Sequence, residues 1–301
     1  MSDTNAIIKK ANELGYLIPA FNVAYLPMTE PIIQAVTDQD SFSLVEVSRV
    51  DWEKMEAKSY QAVYEEYMKY ENKAHVRLHL DHVPVIDEDG LEVDYLAIVK
   101  DAVAMGYQSV MVDASRLSLE GNIKATAEVA EIAHAKDVPV EAELGAVLGH
   151  EAGPPPPYEE LFASGKGFTK VDEAARFVRE SGCDWLSVAI GNIHGSISDA
   201  LKDQKKPDAR LNLEHLQKLA DATGIPLVLH GGSGVQQQYT LDAAKIGITK
   251  INVGTEIRQA YEKTLKATSD VVKAQQAVYD SVTYLVKDYY KIAGIQKQVM
   301  A

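Results

Sequence analysis

Three histidines of this chain each close a short apolar run: Leu78-His79-Leu80-Asp81-His82, Val188-Ala189-Ile190-Gly191-Asn192-Ile193-His194 and Leu227-Val228-Leu229-His230. Imidazole is the commonest protein ligand for a catalytic divalent metal, and a catalytic zinc takes three protein ligands and keeps one position open. The three positions are 112 and 36 residues apart, so no single helix or loop gathers them. Only a fold that brings several strand ends to one point can do so. Asp81, directly before His82, reads either as a general acid/base or as a carboxylate that orients the imidazole. Neighbouring strand residues face opposite ways, so both point inward only where the strand breaks up, which Pro84 favours. Glu143 reads either as a carboxylate beside a cation or as a partner for a lysine at the rim.

A second kind of chemistry lies in Gly231-Gly232-Ser233-Gly234, which follows His230 at once. Glycines there leave backbone N–H groups open to an oxyanion. Thr255, opening the next helical stretch after Gly254, adds donors from an adjacent strand end. His79 shares a strand face with Asp81 and reads as a satisfied interior histidine. Cys183 precedes a strand and reads as packing.

The elements that must position these groups alternate in type. Eight apolar runs are legible: Leu17–Val23, Ser43–Ser48, His75–Asp81, Gln108–Asp113, Pro139–Leu144, Trp185–Ile190, Pro226–His230 and Thr249–Val253. Helical stretches lie between them, including Leu96–Met105, Asn122–Lys136, Val171–Ser181, Leu213–Thr223 and Leu241–Ile246. Gly106, Gly182, Gly224 and Gly247 stand where helix should turn to strand. This order predicts an α/β chain folded as one (β/α)8 TIM barrel over residues 1–301, with a C-terminal helical extension from about residue 256. That extension, Glu256–Tyr290, is expected to reach past the barrel toward a partner subunit. Polar residues crowd the carboxyl ends of the runs, where such a barrel puts its site: Asn22, Ser48-Arg49, Asp81-His82, Asp113, Glu141 and Glu143, Asn192 and His194, His230, and Asn252. The proline-rich stretch 150–170 follows the fifth run and is expected to be a lid; a polar stretch, 196–210, follows the sixth.

Bulk properties narrow the class. A net charge of −14 repels nucleic acid and anionic membrane, though a metal and local N–H groups still admit a small anion. One cysteine precludes an internal disulfide. No run approaches 18 apolar residues, and the first residues lack the basic-then-apolar layout of a signal peptide. The expected location is the cytoplasm.

The motifs together resemble those of the class II, metal-dependent ketose-bisphosphate aldolases, which include fructose- and tagatose-bisphosphate aldolase. The resemblance runs from Pro19-Ala20-Phe21-Asn22 to Glu256-Ile257-Arg258. It is carried by His79-Leu80-Asp81-His82, Ser109 to Ser115, Val140 to Gly145, Ala189 to Gly195, Leu229 to Gly234 and Lys250 to Thr255. It implies one catalytic Zn2+ per subunit on His82, His194 and His230, with Glu143 and Asp113 beside the metal or at an alternate position. It implies Asp81 as acid/base at the C4 hydroxyl and Glu151 as the loop carboxylate that moves the proton at C3. Asn22, Ser48, Arg49, Gly195, Gly231, Gly232, Ser233, Asn252, Gly254 and Thr255 would meet the sugar phosphate. The carbonyls of Ile193, Gly195 and Gly231 would hold Na+ or K+, and the subunit would form a homodimer or homotetramer. The chain departs from the family in two places. Ser196-Ile197-Ser198 stands where a phosphate-binding lysine is common, and the second strand ends in Ser48-Arg49-Val50-Asp51 where a small polar segment is usual. Two other readings compete. A Schiff-base aldolase would need a neutral lysine deep in a strand, for which Lys250 is the candidate. A non-catalytic sugar-phosphate-binding barrel would bind metal and ligand without turnover.

Overall fold

A computed structural model describes residues 3–145, 158–192, 210–232 and 234–301. Eight parallel strands close a barrel in chain order: β1 (Ile18–Asn22), β2 (Ser43–Ser48), β3 (Val76–Pro84), β4 (Ser109–Asp113), β5 (Val140–Leu144), β6 (Trp185–Val188), β7 (Leu227–Leu229) and β8 (Ile248–Val253). Helices separate them, so the fold is the (β/α)8 TIM barrel. The helices Val171–Ser181 and Leu213–Thr223 have the bounds expected from sequence. Both end on glycines at positive φ, Gly182 (74°) and Gly224 (65°), a conformation that any Cβ disfavours.

Parallel strands covered on both faces read as continuous apolar runs. The outward residues here, such as Val45, Leu78, Leu80, Val110, Ala142, Leu186 and Ile251, are fully buried beneath the helices. The inward face differs from the branched apolar filling usual for this barrel. In register, Glu46 on β2 stands beside His79 on β3, His79 beside Ser109 on β4, and Glu141 on β5 beside Trp185 on β6. Lys250 on β8 lies next to Ile18 on one side and Val228 on the other. The barrel therefore encloses a layer of charges, and Glu46, His79, Glu141 and Lys250 are all fully buried.

Two expectations are corrected by the backbone. β3 does not break up after Asp81; it continues to Pro84 through a bulge, its register on β4 shifting between Leu80 and Val83. His82 sits in that bulge at φ 37°, a left-handed conformation costly for a non-glycine residue. The extra residue turns Asp81 and His82 toward the same site. The C-terminal helices do not reach past the barrel either. Thr255–Thr268 packs on Val271–Tyr284, which packs on Thr29–Asp38 of the same chain. Tyr279 donates to Asp38, Gln275 to the carbonyl of Pro27, and Ser41 to the carbonyl of Ile292, tying the extension to the barrel's own flank.

Candidate active site

Asp81, His82 and His230 meet at the carboxyl ends of β3 and β7: one donor atom from each lies within 4.8 Å of the others. The two imidazole rings are 4.4 Å apart. His82 Nδ1 is 3.4 Å from Asp113 Oδ2, and Asp113 Oδ1 accepts from the Ser115 N–H and hydroxyl. Asp113 therefore orients His82, as carboxylates behind metal-binding imidazoles do. His82, Asp113 and Glu143 form a second group with donor atoms equally close.

His230 is fully buried between two carboxylates, with Nδ1 2.8 Å from Glu143 Oε2 and Nε2 2.8 Å from Glu141 Oε1. Glu143 accepts from Ser187, and its carbonyl accepts from Asn122. Asn192 donates to the His230 carbonyl, which fixes the end of β7 against the end of β6.

Behind these groups lies the charged layer. Lys250 Nζ is 3.1 Å from Glu46 Oε2, 3.0 Å from Glu141 Oε2 and 3.9 Å from Asp81 Oδ1. It also donates to Asn252 Oδ1 at 2.6 Å. Burial disfavours its charge, yet the carboxylates Glu141, Glu46 and Asp81 outweigh burial and hold the ammonium protonated. Burial drives His79 down to about 3, with Lys250 adding to the effect, so its ring is neutral; it bonds Ser109 Oγ at 2.8 Å. Burial, reinforced by Asp81, pushes Glu46 well up despite Lys250. Asp81 is held below the usual carboxylate range: burial opposes this, but the charges of His82 and Lys250 prevail.

Asp81 is gripped by two amides. Asn252 Nδ2 donates to its Oδ1 at 2.9 Å and Asn22 Nδ2 to its Oδ2 at 3.2 Å. Of the residues read from sequence as substrate contacts, Ser48 caps the helix Arg49–Glu53, its hydroxyl 2.7 Å from Asp51 Oδ2. Arg49 pairs with Asp87 at 3.2 Å and Glu53 at 3.8 Å, so it meets rim carboxylates of its own chain. Gly254 precedes the helix that Thr255 opens. A cavity of about 440 Å³ adjoins the glycine stretch, between Gly232, Gly234, Val253, Glu256 and Tyr289; none of the histidines lines it. Gly231 borders the same turn at φ 65°. His194, Glu151, Ile193, Gly195 and Ser233 lie outside the described residues, as do Ser196 to Ser198 and the proline run.

Sequence reading passed over Asp51 and gave Glu46 no role. The signal for Glu46 was present: it and Lys250 are charged residues at inward positions of otherwise apolar strands. Asp51 had only the Ser48-to-Asp51 capping spacing to announce it.

Two imidazoles beside a carboxylate, with further carboxylates behind each ring, are a donor set suited to zinc and its neighbours. In the metal-free protein the same carboxylates favour imidazolium. Burial lowers His82, but Asp81 and the bond to Asp113 raise it to about 9. Burial likewise lowers His230, but its bonds to Glu141 and Glu143 raise it to about 10. An unfolded histidine titrates near ~6.5, so this stabilisation is complete below that pH and is lost as pH rises through the folded values. Metal-free protein is expected to melt progressively lower between pH 7 and pH 10, the window set by those two values. A melting temperature that stays flat or rises across that window would contradict the assignment.

Comparison with known proteins bears on this geometry. The family model described as fructose-bisphosphate aldolase class-II matches residues 2–300. The chain belongs to that family. It is 34% identical over 282 residues to a fructose-bisphosphate aldolase of Streptococcus pyogenes serotype M1, covering 91% of this chain and 85% of that one. It is 31% identical to the Staphylococcus aureus (strain Mu50) protein of the same name, covering 91% and 87%. The crystal structure of the YdjI aldolase from Escherichia coli K12 superposes with a TM-score of 0.75 at 28% identity, covering 97% and 98% of the two chains. The Campylobacter jejuni fructose-bisphosphate aldolase has the same fold, with a TM-score of 0.71 at 18% identity and coverage of 96% and 94%. This class II aldolase-family chain is thus an enzyme, a lyase. Among the described residues, no helix is long and apolar enough to cross a membrane.

Proposed function

We propose that this chain is a zinc-dependent aldolase that reversibly cleaves a phosphorylated ketose, such as fructose 1,6-bisphosphate, tagatose 1,6-bisphosphate or a related sugar, into dihydroxyacetone phosphate and an aldehyde. The observation that carries this reading is the meeting of Asp81, His82 and His230 at two strand ends in a class II aldolase-family barrel. His82, His194 and His230 would hold the ion, with Glu143 and Asp113 beside it or at an alternate position. When bound, the ion supplies Lewis acidity toward the ketone and its neighbouring hydroxyl.

The chain's own groups do the rest. In cleavage, Asp81 accepts the C4 hydroxyl proton as the C3–C4 bond breaks and the C4–O bond becomes a carbonyl. The electron pair of the broken bond passes to the three-carbon fragment as an enediolate. Glu151 returns a proton to C3. Asn22 and Asn252 orient Asp81 and line the approach. Gly231, Gly232, Ser233, Gly254 and Thr255 offer N–H and hydroxyl donors to a phosphate, with Gly195 and Ser48 at its margins. Arg49 would take a far-end anion only by leaving Asp87. The carbonyls of Ile193, Gly195 and Gly231 would hold Na+ or K+.

The Schiff-base alternative needs a lysine with a free electron pair, whereas Lys250 is held as an ammonium between Glu46 and Glu141. We further read residues 1–301 as one domain, working in the cytoplasm as a homodimer or homotetramer on a small sugar phosphate. The net charge of −14 argues against nucleic acid and anionic membrane as partners. The test is a panel of ketose phosphates differing in C4 configuration and in the phosphate at each end, assayed after chelation and after zinc is restored. Chelation is expected to abolish retro-aldol cleavage and zinc to recover it. Cleavage that survives complete metal removal would overturn the reading.

A further inference from the structure

Asp51 belongs to no strand end and no glycine turn, yet it stands one residue from Asp81 in the hydrogen-bond network. It is the third residue of the helix Arg49–Glu53 and forms a capping box with Ser48, its Oδ2 accepting from the Ser48 N–H at 2.9 Å. A carboxylate at this position ordinarily serves the helix end alone. Here it is only 5% exposed, and the same Oδ2 accepts from Asn22 Nδ2 at 3.2 Å. Burial pushes Asp51 up to about 6, against the bonds from Ser48 and Asn22, so it is ionised above that range.

The other hydrogen of the Asn22 amide goes to Asp81 Oδ2, also at 3.2 Å. An amide nitrogen carries two hydrogens and an ionised carboxylate only accepts, so both are committed and the amide has one permitted orientation. Its oxygen is turned toward Gly254, where an added Cβ would come within 3.2 Å of it. The opposite oxygen of Asp81 is held by the converse device. Lys250 only donates; it takes Asn252 Oδ1 and so directs Asn252 Nδ2 at Asp81 Oδ1. Each oxygen of Asp81 thus faces an amide whose direction is imposed by a charged group behind it.

We infer that Asp51 is a positioning residue for Asp81, acting through Asn22. By accepting from the Asn22 amide it compels that amide to donate to Asp81, which keeps the carboxylate aimed and ready to receive a proton. The inference rests on the aldolase reading, in which Asp81 takes the C4 hydroxyl proton.

The test separates cleavage from a partial reaction that does not use Asp81: exchange of the C3 proton of dihydroxyacetone phosphate with solvent, assigned above to Glu151. Asp51→Asn is isosteric and keeps an acceptor for Ser48, but it offers amide hydrogens where Asn22 needs an acceptor. Assayed in zinc-loaded protein at about pH 8, where a carboxylate of this kind is ionised, it is expected to lower kcat for cleavage about 10- to 100-fold, as misaligned catalytic groups do. Proton exchange should stay within about twofold, because misalignment touches only the group that has moved. Asp51→Glu keeps the capping carboxylate and should fall between wild type and Asp51→Asn; it also serves if Asp51→Asn does not fold. With Asn22→Ala as background, Asp51→Asn should add little, since both changes break one chain of contacts. Equal losses in cleavage and exchange would reduce Asp51 to a helix cap and overturn the inference. So would unchanged cleavage, or losses that add fully in the double variant. A wild-type protein that neither exchanges nor cleaves would overturn the aldolase reading, and this inference with it.

Discussion

Lys250→Met is expected to destabilise the fold by about 3–5 kcal/mol, the range for removing one partner from a buried ion pair. Methionine matches the length of the side chain and not its charge. Glu46, Glu141 and Asp81 would then face one another with at most 1% exposure and no ammonium among them. Glu46 would respond by taking a proton, since burial already pushes it that way. For a chain of this size such a loss corresponds to a melting temperature lower by about 5–10 °C. Thermal or denaturant unfolding of wild type and variant in the same metal state measures it. A variant that melts within a degree of wild type would mean that Lys250 is not the counter-cation of the barrel interior. The same burial and pairing explain a second expectation: borohydride with substrate present should leave Lys250 unmodified, because an ammonium has no electron pair to attack a carbonyl.

Asp81→Asn is expected to lower kcat for cleavage by about 10² to 10⁴, the usual contribution of a positioned general base. The change is isosteric and removes the one group within reach of two amides that can accept a proton. Because Asp81 acts on the hydroxyl only as the bond breaks, KM should move little and the loss should appear in kcat. Steady-state kinetics on the best substrate of the panel reads this directly. A loss smaller than about tenfold would show that Asp81 is not the base and serves only to orient its neighbours.

Much of the framework is legible without coordinates, and for physical reasons. A strand buried on both faces must be apolar along its length, so eight such runs separated by helical stretches announce eight barrel strands. Helices ending at Gly182 and Gly224 announce their ends because a left-handed residue is needed there. Strand ends are less legible. β3 runs three residues beyond its expected end, whereas β6 and β7 stop short of Ile190 and His230. A ladder continues only as far as a neighbouring strand offers partners, and that is a property of two segments at once.

The site divides along the same line. Residue type and placement at strand ends are local facts, and they single out Asp81, His82, His230, Asn22 and Asn252 as chemical candidates. That Glu141 and Glu143 both close on His230, or that Lys250 lies between Glu46 and Glu141, depends on contacts spanning some 90 to 200 positions. Periodicity within a strand says that such a charge faces inward, and it is silent on which charge it meets. Asp51 is the clearest case. From the chain alone it is the third residue of a short capped turn. Only the closing of β1, β2 and β3 side by side brings its carboxylate to the back of the amide that holds Asp81. The sequence by itself determined the barrel, the residue types at its mouth and their metal-binding character. Tertiary structure alone decided their pairing and aim, because hydrogen bonds are directional and their partners come from strands far apart in the chain.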